Sequence, residues 1–131
     1  DFGTATTFDV VDHDGAYVGG VIAPGVNLSL QALHQMAAAL PHVDIAKPKE
    51  VIGRNTVSCM QSGVFWGYIG LVKEICKKIK EEKKEAMRIV ATGGLAPLLQ
   101  STEALFEDVE ENLTMHGLRL IFDHNKNIDS L

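Results

Sequence analysis

The 131-residue sequence has little of what staples, anchors or charges a chain in one direction. It holds only two cysteines, Cys59 and Cys76, both inside one predicted helix and far apart along it. They cannot bridge within that helix and show no metal-ligand spacing, so they read as reduced, half-buried thiols of a cytosolic protein. Basic residues are outnumbered, 12 Lys and Arg against 17 Asp and Glu, for a net charge of −5. No basic face is offered, which argues against nucleic-acid binding. Long apolar runs are missing too. The most apolar stretch, Val64 to Val72, is too short for a bilayer and ends at Lys73-Glu74, so neither a membrane span nor a leader peptide is expected. Internal repeats and low-complexity segments are absent. The sequence also lacks an initial methionine: Asp1 stands inside what reads as a strand. The expectation is a fragment, a processed product or a truncated chain, with an upstream portion elsewhere.

What is present is an ordinary soluble balance, 46% hydrophobic and 22% charged residues, enough for one domain with a buried core. The stretch Asp1-Phe2-Gly3-Thr4-Ala5-Thr6-Thr7-Phe8-Asp9-Val10-Val11-Asp12 reads as a strand end, a tight glycine turn and a second strand. Thr6, Phe8 and Val10 fall on one face and Thr7, Asp9 and Val11 on the other. Gly3 lets a backbone approach something bulky, threonine hydroxyls stand beside it, and the Asp1 carboxylate can hold a cation. Those parts suit a phosphate-handling turn; on composition alone they suit an ordinary hairpin equally.

Asp12 to Gly15 is a reversal, and a strand from Ala16 to Ile22 follows. Its Gly19-Gly20 pair marks either a bulge near a ligand or simple tight packing. Pro24-Gly25 turns the chain, and Asn27 or Ser29 caps a helix to about Leu40. Leu30, Leu33, Met36, Ala37 and Leu40 would pack that helix on the sheet, and His34 sits beside the stripe without chemistry. A long connection leads to Ile52-Gly53-Arg54-Asn55-Thr56. There Asn55 caps a long helix, about Thr56 to Lys84, and Thr56 sits where free N–H groups favour anions. Val57, Met60, Val64, Tyr68, Leu71, Ile75 and Ile79 make that helix's apolar face. Gly63, Gly67 and Gly70 leave room for a second helix, of this chain or of another subunit, with Phe65 and Trp66 beside them as interface candidates. The mixed charges from Lys77 to Glu85 are a solvated helix end.

A buried strand Arg88 to Thr92 breaks at Gly93-Gly94, and Pro97 opens a short helix, the layout of a ligand crevice at a sheet's carboxyl edge. An apolar piece from Leu105 to Val109 meets an acidic loop, Glu107 to Glu111, and Thr114 caps a last helix. His116 and His124 are not spaced as a metal pair.

Asp1 to Thr7 followed by Gly19 to Gly25, then Val51 to Thr56, Gln61-Ser62-Gly63 and Ala91-Thr92-Gly93-Gly94-Leu95-Ala96, resembles the type III pantothenate kinases. These belong to the acetate and sugar kinase, Hsp70 and actin superfamily. The resemblance spans nearly the whole chain in the family's order. It implies an α/β fold, a ribonuclease-H-like (actin-like ATPase) lobe with a mixed sheet flanked by helices. This would be the carboxyl-terminal lobe of a two-lobe kinase. It further implies ATP-dependent phosphorylation of pantothenate in coenzyme A biosynthesis. Gly3, Thr4, Gly93 and Gly94 would contact ATP, Thr56 pantothenate, and Asp1 a monovalent cation, potassium or ammonium, with magnesium a further cofactor. It points to a cytoplasmic homodimer joined through the helix of Gly63, Gly67 and Gly70. The family's first phosphate loop and its Gly-x-Asp-Arg base belong to the amino-terminal lobe and are not found here, so the chain alone is expected to be inactive. A non-catalytic dimerising or regulatory relative that keeps nucleotide binding is the alternative.

Overall fold

The structure, a computed structural model, describes residues 1–37, 39–102 and 105–128. It is a mixed α/β arrangement. Strands β1 (Ala5–Val11) and β2 (Tyr17–Pro24) form an antiparallel hairpin, followed by helices α1 (Val26–Met36) and α2 (Thr56–Lys83). Strand β3 (Val90–Ala91), helix α3 (Ala96–Gln100), strand β4 (Asp108–Val109) and helix α4 (Leu113–Ile128) complete the order.

The reversal between β1 and β2 is held by Asp12, whose Oδ1 accepts from the N–H of Asp14 and of Ala16, with Gly15 at φ +82°. The sequence left the role of Gly19-Gly20 open, and both readings apply to backbone packing. Gly19, at φ +124°, adjoins a shift in the β1–β2 register between Val10 and Val11, as a bulge requires. Gly20 lies so close to the Phe8 carbonyl that no Cβ would fit.

Strands β3 and β4 pair in parallel, forming a second small ladder instead of one continuous sheet. The segment Asp1–Phe2 joins the two ladders. Asp1 and Thr7 exchange both backbone hydrogen bonds, at 2.9 and 3.0 Å, Phe2 bridges Thr6, and the Phe2 N–H donates to the Thr92 carbonyl at 2.9 Å. A core of Phe2, Phe65, Ile69, Val72, Ala91, Ala96, Leu99 and Phe106 packs beneath this junction.

Helix α2 is anchored at its start by a capping box in which Asn55 and Ser58 bond reciprocally, as expected for Asn55. It ends at Lys84, which closes the last turn in the left-handed conformation at φ 56°. The face toward the core is the expected one at Met60, Val64 and Tyr68, which are buried, and is wider than expected. Phe65, expected at an interface, is fully buried and meets Trp66 edge-on at 5.3 Å, whereas Val57 is exposed. Cys59 is exposed and Cys76 half-buried, both free.

Helix α1 also departs from expectation. It stops at Met36, and its cap is Gly25, not Asn27 or Ser29. Only Val26 and Leu30 are buried, packed on Met60, Val64 and Tyr68 of α2 and not on the sheet; Leu33 and Met36 are exposed. Gly25 is selected because a Cβ there would overlap the Thr4 carbonyl. The Tyr68 hydroxyl fastens this corner, bonding the Pro24 carbonyl at 2.6 Å and Ser29 Oγ at 2.7 Å.

Two further expectations are corrected. The acidic stretch is not a plain loop, because β4 lies within it, steadied by Arg88 on Asp108 at 3.1 Å. Thr114 lies inside α4, not at its cap, and Leu118, Leu120, Ile121 and Phe122 of that helix are exposed.

Candidate functional site

The turn after Phe2 is built by its own backbone. The Gly3 N–H donates to the Ala5 carbonyl at 3.1 Å, and Gly3 and Thr4 are exposed in this turn. Two other segments meet residues 1–4. Gly25 rests on the Gly3–Thr4 backbone, bringing the amino end of α1, with its free N–H groups, against the turn. Gly93, at φ +92°, rests on Asp1–Phe2: a Cβ there would lie 2.6 Å from the Phe2 carbonyl oxygen and 2.7 Å from Asp1 Oδ1. Residues 1–4 therefore touch Gly25 through Gly3–Thr4 and Gly93 through Asp1–Phe2, although 92 positions separate Asp1 from Gly93.

Of the residues the sequence singled out, Asp1 lies beside Gly3 and against Gly93, while Thr4 and Gly94 are their neighbours in the chain. The Asp1 carboxylate is exposed, and its Oδ1 would stand 3.7 Å from a Cβ at Gly3. Gly94 is also exposed, with open space where a Cβ would point. A single exposed carboxylate beside two glycine backbones leaves space that a small cation fits, and any side chain at Gly93 would fill it. Among the described residues no three His, Cys, Asp or Glu side chains gather as a metal-binding group. Gly25 was read as a turn residue only. The signal for its role was a Pro-Gly pair immediately ahead of a helix.

Thr56 stands apart. It is the first residue of α2, exposed, and among the described residues no hydrogen bond joins it to the Asp1 turn. Its surroundings are nonetheless fixed. Gly53 presses on the backbone of Ser58 and Cys59, the Arg54 N–H donates to Ser58 Oγ at 3.0 Å, and Ser62 Oγ donates to the Val51 carbonyl. The Ile52–Thr56 segment is thus strapped to the first two turns of α2. One turn further on, Met60 packs with Val26, the residue after Gly25. The same helix start and the phosphate-like turn share one packed corner.

The glycines of α2 face outward. Gly63, Gly67 and Gly70 are exposed, each with open space in place of a side chain. No helix among the described residues is long and apolar enough to cross a membrane.

Comparison with known proteins places these features in a lineage. The sequence profile for type III pantothenate kinase matches residues 1–78. The type III pantothenate kinase of Roseobacter denitrificans is 74% identical over 126 residues, covering 96% of this chain and 49% of that protein. The one from Ruegeria pomeroyi is likewise 74% identical over 126 residues, with the same shares of 96% and 49%. The Paracoccus denitrificans kinase is 68% identical over 126 residues. The chain spans about half the length of the curated relatives it matches. A crystal structure described as a conserved Baf family transcriptional activator from Campylobacter jejuni matches with a TM-score of 0.66 at 21% identity. That match covers 95% of this chain and 55% of the other, and the likeness is one of fold.

Proposed function

Because the chain belongs to the type III pantothenate kinase family, we propose that it supplies the nucleotide-binding lobe of an enzyme that moves the terminal phosphoryl group of ATP to the primary hydroxyl of pantothenate. The observation that carries this reading is the packing of Gly93 on Asp1–Phe2, directly ahead of the exposed Gly3–Thr4 turn. Two glycine-rich segments far apart in sequence close on a single exposed carboxylate, which is what a nucleotide's phosphates and their counter-cation require. Phosphoryl transfer depends mainly on positioning and charge stabilisation. The elements named here position: Gly3 and Thr4 take the phosphates, Gly93 and Gly94 admit the adenosine, and Asp1 holds potassium or ammonium beside them. Magnesium would arrive with the nucleotide.

Thr56 is the pantothenate contact in this reading. Its place at the amino end of the 28-residue α2 suits an acid bearing hydroxyls. The lobe is ribonuclease-H-like, a reading supported by the antiparallel hairpin on one side of Asp1–Phe2, the parallel pair on the other, and helices that follow each. The protein works in the cytoplasm as a homodimer. The exposed, side-chain-free strip of Gly63, Gly67 and Gly70 lets a second α2 approach closely.

The catalytic base belongs to the half of the kinase that this chain does not span. Turnover is measured with ATP, pantothenate and potassium on the chain alone and on the chain combined with the other half of the Roseobacter denitrificans kinase. Phosphopantothenate is expected only from the combination. Turnover by the chain alone contradicts the assignment of the base. Nucleotide binding by the combination without turnover favours a regulatory relative.

A further inference from the structure

Tyr68 lies near the middle of α2, its ring buried among Val26, Leu30, Met60 and Val64. Its hydroxyl reaches out of that helix. It donates to the Pro24 carbonyl at 2.6 Å and meets Ser29 Oγ at 2.7 Å. Ser29 Oγ also stands 3.1 Å from the Gly25 carbonyl. Three short distances thus share two hydroxyl hydrogens, and each hydroxyl has only one to give. A carbonyl can only accept, so the Tyr68 hydrogen goes to Pro24. The Ser29 hydrogen then goes to the Tyr68 oxygen, because the Gly25 carbonyl already accepts the Ser29 N–H at 3.0 Å. The outcome is a directed pair of bonds, Ser29 to Tyr68 and Tyr68 to Pro24.

What these bonds hold is the joint between β2 and α1. Pro24 stands opposite Ala5 in the hairpin register, and the Ala5 carbonyl accepts the Gly3 N–H that closes the turn. Gly25 follows and backs onto the Thr4 carbonyl, with no room for a Cβ. Val26 and Leu30 also join α1 to Met60 and Val64 of α2, but apolar packing is non-directional. A hydrogen bond is directional, so Tyr68 fixes where along α2 the joint sits. The same unbroken helix carries Thr56 at its amino end, about 18 Å away along the axis at a rise of about 1.5 Å per residue. A shift of the Pro24–Gly25 joint therefore moves the Gly3–Thr4 turn relative to Thr56.

We propose that Tyr68 is a positioning residue for phosphoryl transfer. Its hydroxyl sets the distance between the turn that takes the ATP phosphates and the helix start that takes pantothenate. The inference rests on the proposed function for the two substrates, and Tyr68 acts through the Pro24–Gly25 joint, not by touching either of them. Two reactants held slightly out of line still bind but react slowly, since a misplacement of about 1 Å can cost on the order of 100-fold in rate. Loss of the tie therefore acts on kcat more than on either KM. Loss of the Ser29 hydroxyl acts the same way but more weakly, because Tyr68 still reaches Pro24.

Steady-state kinetics test this on the chain fused to the other half of the Roseobacter denitrificans kinase, with rates taken per folded enzyme below the onset of melting. Tyr68→Phe keeps the ring and removes the hydroxyl. It should lower kcat at least about tenfold while the KM for ATP and that for pantothenate each change less than about threefold. Ile69→Val thins the core beneath Phe2 at a comparable cost in stability, and should keep kcat within about twofold. Ser29→Ala should fall between, and the double variant should be no slower than Tyr68→Phe, because Ser29 acts through Tyr68. Amide exchange at Gly3 is followed in the same proteins and should quicken in Tyr68→Phe but not in Ile69→Val. A Tyr68→Phe enzyme with the wild-type kcat, or with its loss confined to a raised KM, overturns the positioning role. An equal fall of kcat in Ile69→Val also overturns it, because general softening then accounts for the loss. A wild-type fusion without turnover contradicts the proposed function instead. Gly3 exchange then decides the tie by itself: quickened in Tyr68→Phe it supports the tie, and unchanged it overturns it.

Discussion

Replacing Gly93 by alanine should damage the fold and the site together, and the size of the effect follows from the local geometry. At φ +92° the backbone occupies a region that L side chains rarely adopt, a penalty of about 1–2 kcal/mol. The new Cβ would also stand 2.6 Å from the Phe2 carbonyl oxygen and 2.7 Å from the Phe2 carbonyl carbon. Neither atom belongs to a flexible side chain, and Phe2 is held by the Thr92 carbonyl. Overpacking of that kind costs a further 1–3 kcal/mol or so. The combined loss, about 2–5 kcal/mol, is a large part of a typical domain's stability and should lower the urea midpoint by about 1–2 M. Gly94 is the control. Its neighbourhood is open and its φ is not in the left-handed region, so Gly94→Ala should change stability by less than about 1 kcal/mol. If the adenosine lies against this backbone, Gly94→Ala should still weaken nucleotide binding. Equal urea midpoints for Gly93→Ala and wild type would refute the packing of Gly93 on Asp1–Phe2, and the gathered site with it.

Tyr68→Phe removes a buried hydroxyl that ties α2 to the Pro24 carbonyl and to Ser29, and should cost about 1–2 kcal/mol in chemical denaturation. Asn55→Ala deletes the cap bond to the Ser58 N–H. It should lower stability by about 1 kcal/mol and, because Thr56 follows directly, raise the KM for pantothenate more than that for ATP in the completed enzyme. The Glu107 carboxyl is held below its ordinary value by the bond it accepts from the Ile89 N–H at 2.7 Å. A depressed carboxylate stabilises the folded state above its unfolded pKa and loses that contribution as pH falls through the folded one. Acid unfolding curves from pH 6 downward should therefore flatten below about pH 4.5 in Glu107→Gln; an unchanged curve would remove Glu107 from the β3–β4 linkage.

Much of this was legible in the sequence where a residue's local chemistry decides its place. Asn55 announced the start of α2, Asp12 to Gly15 the hairpin reversal, and Pro97 the short α3. The glycine pairs marked positions where a Cβ cannot fit, and Gly93 and Gly20 behave so. Misreadings arose where the pattern was right but the partner was not encoded locally. Periodicity showed that α1 has an apolar stripe, yet Leu33 and Met36 continue it into solvent because α2, not the sheet, covers only the first turns. Phe65 looked like a surface aromatic beside small residues, but the helix turns it onto Phe2 and Ala91. Strand β4 was hidden because two residues of backbone pairing, within an acidic run, leave no hydrophobic alternation to detect. That Gly25 contacts Thr4 could not be read at all. It depends on how β2 returns along β1, which brings Pro24 opposite Ala5.

The most direct test of the central claim, that the Asp1 turn and the Gly93 segment form one nucleotide site, is a calorimetric titration of ATP into the chain fused to the other half of the Roseobacter denitrificans kinase. It is run with potassium and without, for the wild type and for Asp1→Asn. Tight binding in potassium, weakened alike by withdrawing the cation and by Asp1→Asn, is the expected result. ATP binding that is indifferent to both, or absent from the wild type in potassium, would contradict it.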